Sequence, residues 1–372
     1  MPRAHRRVNQ QDERGIKVRG MHSRKAEPID FVTHQIGYSS SSIKPSEPLI
    51  IPCFSDENPS TQSTQSPAPR GPDLIEAHLQ FYVQAQQRRG SEMRKKATRD
   101  LSAIKLSFPG VPDQSVIVAM AAWFALLCIV DDEVEQMAPD IAHLALTESV
   151  AVLAASAFGQ EKDADEAMPE EVNRLCAYNK FFVSHMKYLL PLRTRNRLFE
   201  SIIEAWKGIY AEVAFRSGVA PTKGIYLNMR TRTIGVQPFL LLLEYALLGH
   251  SDNRNPALNQ LKDNVIAIVG FQNDIVGLER DIAAGETLNF ACVAVGGSPA
   301  GSSVEDRMKS VEDGLVEGIT MHNAAVTEAA KNWKVIKAGR APEVEKEFAD
   351  RMMGFIGRHF AWASAAKRYQ TV

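Results

Sequence analysis

The fold is decided by residues 121–135, where a long apolar run ends abruptly in carboxylates. Residues 121–130 read AAWFALLCIV, and the acidic sequence DDEVE follows at 131–135. Apolar side chains continue back to Val116 without the alternation that is typical of a half-buried strand. A helix that is apolar on every side has to be buried, because water would otherwise contact its whole surface. We therefore predict a core helix that delivers carboxylates to one end of an apolar interior.

The rest of the chain repeats this helical spacing of apolar residues from about residue 74 to residue 369. Proline and glycine separate the segments, as at Pro191 and Gly296-Gly297, and residues 304–332 are expected to form one helix. The pattern predicts an all-α fold, a single-domain helical barrel of about ten helices around a central apolar cavity. We expect this helical domain to cover residues 73–372.

The first 72 residues differ from the rest in composition, being rich in Ser, Pro, Gln and Arg. Such a segment buries too little apolar surface to offset the entropy lost on ordering, so we predict a disordered polar leader over 1–72. Its apolar patch from Pro48 to Phe54 is a candidate for docking on the body. Asp12 and Glu13 interrupt the early arginines and no apolar segment follows, which excludes a secretory signal but leaves a transit peptide as an alternative.

Charge and cysteine usage exclude several classes of partner. The net charge is −1, so no overall field attracts nucleic acid. The four cysteines show no CxxC pair and no zinc-ligand spacing, which suits a reducing compartment. Because no uninterrupted apolar run reaches the roughly 20 residues that a membrane span needs, we expect a cytoplasmic protein without a membrane span. The sequence leaves monomer and homodimer equally open.

The acidic cluster at 131–135 is a candidate metal site. On a helix, Asp131 lies four residues before Glu135, and Asp132 lies three before it, so the three share one face. Like charges on one face destabilise a helix unless a cation lies between them, and hard oxygen donors favour Mg²⁺ over softer metals. The alternative is an acidic helix end that is simply solvated.

A second polar cluster follows another apolar stretch, at residues 270–281 with the sequence GFQNDIVGLERD. Asn273, Gly277 and Asp281 recur at steps of four and line one stripe of a helix. Arg280 adds a charge that suits phosphate oxygens. The alternative is a polar helix end with an internal Asp–Arg pair. Glu279 is expected to lie on another side of the helix as a solvated charge.

Together, DDEVE at 131–135 and NDIVGLERD at 273–281 resemble the two Mg²⁺ motifs of class I terpene synthases, and the leader and the motif spacing are most similar to those of fungal sesquiterpene cyclases. The resemblance implies a helical barrel in which the motifs face each other and hold three Mg²⁺ ions on a substrate diphosphate. It makes Asp131 a direct ligand, with Asp132 and Glu135 as weaker contributors. The metal residues that it implies are Asp131, Glu135, Asn273, Gly277 and Asp281.

Two further segments extend the resemblance. YLNMRTRTIG at 226–235 is similar to the segment in which an arginine senses the diphosphate and a helix-breaking glycine follows, which assigns Arg230 and Gly235. The carbonyl of Gly235 would face the pocket, with Phe124 and Trp362 as aromatic walls. Near the C-terminus, Arg368 and Tyr369 match the pair that closes on the diphosphate. The implied diphosphate-binding residues are Arg230, Arg280, Arg368 and Tyr369, and the catalytic set is Asp131, Arg230, Asn273, Arg368 and Tyr369.

The resemblance implies a carbon–oxygen lyase that ionises and cyclises an isoprenyl diphosphate with Mg²⁺. Farnesyl diphosphate is the preferred substrate and a sesquiterpene hydrocarbon or alcohol the product, with a diterpene cyclase acting on geranylgeranyl diphosphate as the alternative. A chain-elongating synthase would show a second aspartate-rich motif, which this chain lacks. Gly277 and Asp281 replace the usual Ser or Thr and Glu, so a catalytically impaired helical binding protein is the other alternative.

Overall fold

The computed structural model describes residues 29–38, 43, 45–53, 73–86, 91–157, 168–216, 219–250 and 255–366. Within these ranges the chain forms thirteen helices and one pair of strands, which confirms the predicted all-α fold. The helices are α1 (Leu74–Gln86), α2 (Ser91–Ser107), α3 (Gln114–Gln136), α4 (Pro139–Ala157), α5 (Glu170–Leu189), α6 (Leu192–Arg216), α7 (Lys223–Thr233), α8 (Val236–Leu248), α9 (Pro256–Ala284), α10 (Phe290–Ala294), α11 (Val304–Ser310), α12 (Glu312–Ala338) and α13 (Glu343–Ala365).

The helices outnumber the ten or so expected because some predicted segments are split. Residues 304–332 form two helices, α11 and most of α12. The two helices are separated at Val311, whose φ of −111° and ψ of 9° are not helical. Short α10 follows α9 after a loop in which the side chain of Asn289 accepts the Ala291 N–H at 3.1 Å. Such caps satisfy backbone donors that a helix start leaves unpaired, so they define where these helices begin.

Helix α3 is the central helix and carries the sequence that predicted the fold. Its start is capped by Asp113, whose carboxylate accepts the Ser115 N–H at 2.8 Å. Met120, Trp123 and Leu126 are fully buried, and α3 packs against α1, α2, α5 and α8. The helix continues to Gln136, so the acidic cluster lies in its last two turns. The apolar stretch thus anchors α3 in the core and the carboxylates project from its end.

Helix α9 is the other long helix of the site, and it packs mainly against α12 and α13. Its first turn is fixed by Pro256 and by Asn255, which accepts the Ala257 N–H at 3.0 Å. It ends at Gly285, whose φ of +78° is the left-handed conformation that terminates helices. This helix carries the second predicted metal stripe.

Part of the predicted leader forms structure on the helical body. Strand β1 (Asp30–His34) pairs antiparallel with β2 (Leu49–Cys53), with Asp30 opposite Cys53. Leu49 and Ile51 are buried, and β2 packs against α12 and α13. The prediction of disorder was therefore wrong for these strands, because the apolar patch supplies the burial that the average composition of the leader lacks. The domain boundary at residue 72 stays a prediction.

Two helices, α3 and α4, are long and apolar enough to cross a membrane by length and composition alone. The sequence expectation of no span did not anticipate this. In α3, 61% of the most apolar window is buried inside the fold, whereas in α4 the buried share is 33%. An apolar helix enclosed by other helices is explained by the core that it forms.

Gly314 should be essential to the packing of α12 on α10. A Cβ atom there would lie 2.1 Å from the Ala291 carbonyl oxygen, which is backbone and cannot rotate away. We expect Gly314→Ala to lower the free energy of unfolding by about 3 kcal/mol, measured by urea denaturation. The matched control is Gly224→Ala on α7, where nothing lies within 4 Å and alanine favours the helix. Equal effects of the two substitutions would contradict this packing.

Stability should also depend on pH through His185. Burial, and then the charge of His78, lower the pKa of His185 from 6.5 to about 4. Between these values the unfolded chain binds a proton that the folded chain does not, so stability falls as the pH drops through this window. We expect His185→Phe to reduce that loss by up to about 3 kcal/mol at pH 4. Denaturation series at pH 7 and pH 4 measure it, and an unchanged pH dependence would contradict the buried neutral ring.

Candidate active site

The end of α3 presents the first predicted metal cluster. Asp131 is half-buried, whereas Asp132 and Glu135 are exposed. Glu133 serves a different purpose: its Oε2 accepts from Arg174 of α5, from Nε at 3.0 Å and from Nη2 at 2.7 Å. The Glu133 carboxylate of the cluster therefore links α3 to α5 by an ion pair. Among the predicted ligands on α3, Asp131 is the least exposed.

The second predicted stripe lies on α9 as its spacing requires. Asn273 is half-buried, and Gly277 and Asp281 are buried. Both carboxylate oxygens of Asp281 are occupied in this structure. Its Oδ1 lies 2.7 Å from Arg280 Nη2, and its Oδ2 accepts from Asn289 Nδ2 at 2.9 Å. The internal Asp–Arg pair that the sequence left as an alternative is thus present.

Glu279 is not the solvated charge that the sequence led us to expect. It is only 8% exposed, because α9 is enclosed on nearly all sides. Burial and then the charge of Glu279 raise the pKa of Tyr38, whose hydroxyl donates to the Ile275 carbonyl at 2.9 Å. The expectation of a solvated charge was wrong because Tyr38 of the N-terminal segment packs close to this part of α9.

Arg230 is held by a carboxylate that sequence reasoning missed. Its Nη2 lies 2.6 Å from Asp274 Oδ1, and Asp274 Oδ2 accepts the Tyr226 hydroxyl at 2.6 Å. Asn289 joins this group to the metal stripe, since its Nδ2 donates to the Asp274 carbonyl at 2.8 Å and to the Asp281 carboxylate. Arg230 Nε is buried without a hydrogen-bond partner among the described residues. The diphosphate sensor implied by the resemblance is therefore a buried, pre-positioned cation.

Burial dominates the electrostatics of this group. Burial raises the pKa of Asp274, although Arg230 and the Tyr226 hydroxyl oppose it. For Arg230, burial disfavours the charge, but Asp274 and neighbouring acidic groups outweigh it and raise the pKa. The attraction between the two groups opposes the cost of burying each of them, as expected of a buried ion pair.

Glu212 of α6 shows that the two ends of the site share one region. Burial raises the pKa of Glu212 to about 7. The charge of Arg230 lowers this pKa, as does the hydrogen bond that the Thr233 hydroxyl donates at 2.6 Å, whereas the charge of Asp131 raises it. The charges of Asp131 on α3 and Arg230 on α7 therefore both reach the same carboxylate. No spacing pattern in the sequence singled out Glu212.

Gly235 lies at the break between α7 and α8. Its φ of +65° is left-handed, and a Cβ would lie 2.5 Å from Leu127 Cδ2 and 3.2 Å from Trp123 Cζ2. Glycine is thus required for its conformation and for space. Its carbonyl accepts the Trp123 indole N–H at 2.9 Å. The helix break implied by the resemblance is where it was expected, and a buried tryptophan of α3 holds it in place.

The predicted aromatic walls meet across α3 and α13. Phe124 and Trp362 pack edge to face with ring centroids 5.9 Å apart. The ring of His359, one turn before Trp362, lies 5.9 Å from the indole. Burial and then the charge of Arg230 lower the pKa of His359 to about 4, so this imidazole is neutral near pH 7. The predicted closing pair, Arg368 and Tyr369, lies outside the described residues.

The donor set fits Mg²⁺ by its chemistry, since the predicted ligands are carboxylate and amide oxygens. Among the described residues, no three His, Cys, Asp or Glu side chains are gathered closely enough to hold an ion by themselves. Mg²⁺ typically takes one or two protein carboxylates and completes its shell with water and substrate phosphates. Asp131 on one side, with Asn273 and Asp281 on the other, supplies such a partial set.

Comparison with known proteins finds terpene synthases by sequence and by fold. The model of terpene synthase family 2, C-terminal metal binding, matches residues 122–301, from α3 to the loop after α10. These residues make up just under half of the chain, and the match supports the predicted likeness to class I terpene synthases. Isoafricanol synthase from Streptomyces malaysiensis is 26% identical over 205 residues, which cover 48% of each protein. The match to this curated relative thus spans about half of its length.

Solved terpene synthase structures share the fold. Linalool/nerolidol synthase from Streptomyces clavuligerus superposes with a TM-score of 0.54 at 19% identity, covering 79% of this chain and 99% of that one. For 2-methylisoborneol synthase from Streptomyces coelicolor A3(2), solved with Mg²⁺ and 2-fluoroneryl diphosphate, the TM-score is 0.59 at 16% identity, over 83% and 96%. These named relatives are from Streptomyces, so the particular likeness to fungal cyclases stays a prediction.

Several residues of the site were not found from the sequence, and the signals for them differ. Asp274 stands beside Asn273 in the quoted motif, and Tyr226 opens the sensor segment, so both lay within recognised stretches. His359 lies one helical turn before Trp362, which could have drawn attention to it. Glu212 and Asn289 carry no local pattern, because only the packing of distant helices brings them to the site.

The ion pair between Arg230 and Asp274 can be tested with two matched arginines on α7. Arg230→Gln leaves the Asp274 carboxylate, whose side chain is 3% exposed, without its cation. We expect a loss of about 3 kcal/mol in the free energy of unfolding at pH 8. The loss should shrink at lower pH, because without Arg230 the raised pKa of Asp274 lets the folded state take up a proton.

The control for this experiment is Arg232→Gln. Arg232 is 3.8 Å from Glu204, and both side chains are largely exposed, so less than about 1 kcal/mol should be lost at either pH. Urea denaturation measures both variants. If Arg230→Gln proved as mild as Arg232→Gln, the buried pair would not anchor α7 to α9.

Proposed function

We propose that this chain ionises and cyclises an isoprenyl diphosphate in the presence of Mg²⁺ and releases diphosphate. Farnesyl diphosphate is the proposed substrate, and a sesquiterpene hydrocarbon or alcohol is the product, formed by a soluble cytoplasmic enzyme. The observation that carries the proposal is the match of residues 122–301 to the metal-binding model of terpene synthase family 2, since this region holds Asp131, Arg230 and Asn273. Carboxylates suited to a metal and a cation suited to a phosphate therefore lie in one matched region.

Mg²⁺, when bound, would neutralise the charge that develops on the leaving diphosphate. Asp131 and Glu135 would hold it from α3, while Asn273 and Asp281, with the open position at Gly277, would hold it from α9. Arg230 and Arg280 would donate to the diphosphate oxygens. Arg368 and Tyr369 are proposed to complete this set as the site closes.

Arg230 and Arg280 each form an ion pair that must break or rearrange before the guanidinium can bind the diphosphate. Arg280 pairs with Asp281, and Arg230 pairs with Asp274. Each cation is therefore neutralised while the substrate is absent. A diphosphate competes with Asp281 for Arg280, and the freed carboxylate oxygen is then available to a metal. Substrate and metal binding are thus expected to reinforce each other at Asp281.

Loss of diphosphate leaves an allylic carbocation, which water would quench. The edge-to-face pair of Phe124 and Trp362 offers apolar surface and the negative face of an aromatic ring. Both rings are half-buried, on α3 and α13, and the apolar surface that they present is a poor neighbour for water. Aromatic contact and dryness together favour rearrangement of the cation over immediate capture.

The activity is tested by incubating the full chain with Mg²⁺ and geranyl, farnesyl or geranylgeranyl diphosphate in separate reactions. Diphosphate release is followed together with gas chromatography–mass spectrometry of the extract. A cyclic product from the C15 substrate supports the proposal, and one from the C20 substrate favours the diterpene alternative. No release from any substrate by folded protein, with and without Mg²⁺, would leave the helical binding protein as the better description.

The metal assignment predicts a sharp loss on removing either side of the site. Asp131→Ala and Asn273→Ala should each slow diphosphate release at least about 100-fold, because developing charge is no longer neutralised. Chelation with EDTA should abolish release, and added Mg²⁺ should restore it. Asp140→Asn is the control, since Asp140 is exposed on the next helix and should leave release as in the original chain. Near-normal release by either alanine variant, with circular dichroism unchanged, would contradict the assignment.

A further inference from the structure

A row of four hydrogen-bonded side chains crosses the helical body from strand β2 to the aromatic wall. It runs from Asn323 through His322 on α12 and Gln272 on α9 to His359 on α13. His322 Nδ1 is 3.1 Å from Asn323 Oδ1, Gln272 Nε2 is 3.4 Å from His322 Nε2, and Gln272 Oε1 is 2.8 Å from His359 Nδ1. We call these four residues the relay.

The backbone of β2 fixes the orientation at the outer end of the relay. The Ile50 N–H donates to Asn323 Oδ1 at 2.9 Å, and Asn323 Nδ2 donates to the Pro48 carbonyl at 2.9 Å. A backbone N–H can only donate and a carbonyl can only accept. The amide of Asn323 therefore presents its oxygen, an acceptor, to His322.

That orientation propagates to the inner end. Because Asn323 Oδ1 accepts, His322 Nδ1 carries the proton and His322 Nε2 accepts from the Gln272 amide nitrogen. Gln272 then turns its oxygen to His359, so His359 Nδ1 carries the proton and donates. Each neutral imidazole has one donor and one acceptor nitrogen, which leaves His359 Nε2 with a lone pair. Burial lowers the pKa of both rings to about 4, so both are neutral as this requires.

The ring of His359 lies beside residues assigned to the site. The ring is flanked by Phe355 and Trp362, each with its centroid 5.9 Å away, and it lies within the field of Arg230. Nδ1 is the only ring nitrogen of His359 that hydrogen-bonds to a described residue. The relay thus delivers an unpaired proton acceptor beside the aromatic wall.

We propose that His359 is the catalytic base that ends the reaction, by taking a proton from the cyclised carbocation. This rests on the proposed function. The proton leaves a carbon next to the cationic carbon, the electrons of that C–H bond become the new C=C double bond, and the proton bonds to His359 Nε2. The product is an alkene, and the imidazolium returns its proton to solvent after product release. A weak base suffices, because a carbocation is a far stronger acid than an imidazolium.

The substitution His359→Asn separates this role from a structural one. The asparagine amide can still donate to Gln272 from nearly the position of Nδ1, but nothing replaces Nε2. We expect diphosphate to be released still, while the main alkene formed per diphosphate falls at least tenfold and alcohols or earlier alkenes take its place. His143→Asn is the control, a half-buried histidine outside the relay that bonds the Tyr210 carbonyl, and its products should match those of the original chain.

An unchanged product spectrum in His359→Asn, with release intact, would overturn the proposal without touching the proposed function. Absence of release from the original chain would instead remove the proposed function. The tautomer provides a readout that needs no turnover. Nitrogen-15 correlation spectra of the substrate-free full chain, assigned with His359→Asn and His322→Asn, should show both histidines protonated at Nδ1. A proton on His359 Nε2 would refute the proposal directly.

Discussion

The buried ion pair between Arg230 and Asp274 is the interaction on which the site depends. It joins α7 to α9, and Tyr226 and Asn289 hydrogen-bond around it so that its orientation is fixed. Asn289 also holds Asp281, so the sensor and the metal stripe are one connected network. A buried pair adds little net stability over an apolar contact, yet losing one partner is costly. That asymmetry makes the pair a means of placing a cation, which the proposed action on a diphosphate requires.

The same network explains how a site rich in arginine is tolerated before substrate arrives. Arg280 faces Asp281 and Arg230 faces Asp274, while burial raises the pKa of nearby Glu212 to about 7. Each of the two arginines therefore has a carboxylate partner in the substrate-free state. Under the proposed function, an incoming diphosphate with its metals would change the partners rather than add isolated charge. Positions 277 and 281, which depart from the pattern of the terpene synthase motif, lie where this exchange would take place.

Much of the site followed from spacing within single helices. The apolar run before Asp131 and the steps of four from Asn273 to Asp281 depend on 3.6 residues per turn, which the sequence displays directly. Contacts between helices are different, because they depend on which distant segments pack together. Gln272 and His359 are 87 positions apart, and nothing local links them. The burial of Glu279 and the pairing of β1 with β2 escaped prediction for the same reason. Both depend on which segments of the chain pack together in the fold, and the local sequence does not show this.

Strand β2 has a meaning beyond covering the helical body. All the motif residues lie after residue 120, so a shortened chain that begins at α1 would keep every group expected to meet metal or diphosphate. It would lack the two backbone groups, at Pro48 and Ile50, that orient Asn323. The Asn323 amide could then rotate and present its nitrogen to His322. The tautomer of His359 would no longer be fixed, and neither would the direction of the last proton transfer. Changes in a segment that never touches the substrate could then alter which hydrocarbon is made, giving evolution a route to new products that spares the motifs.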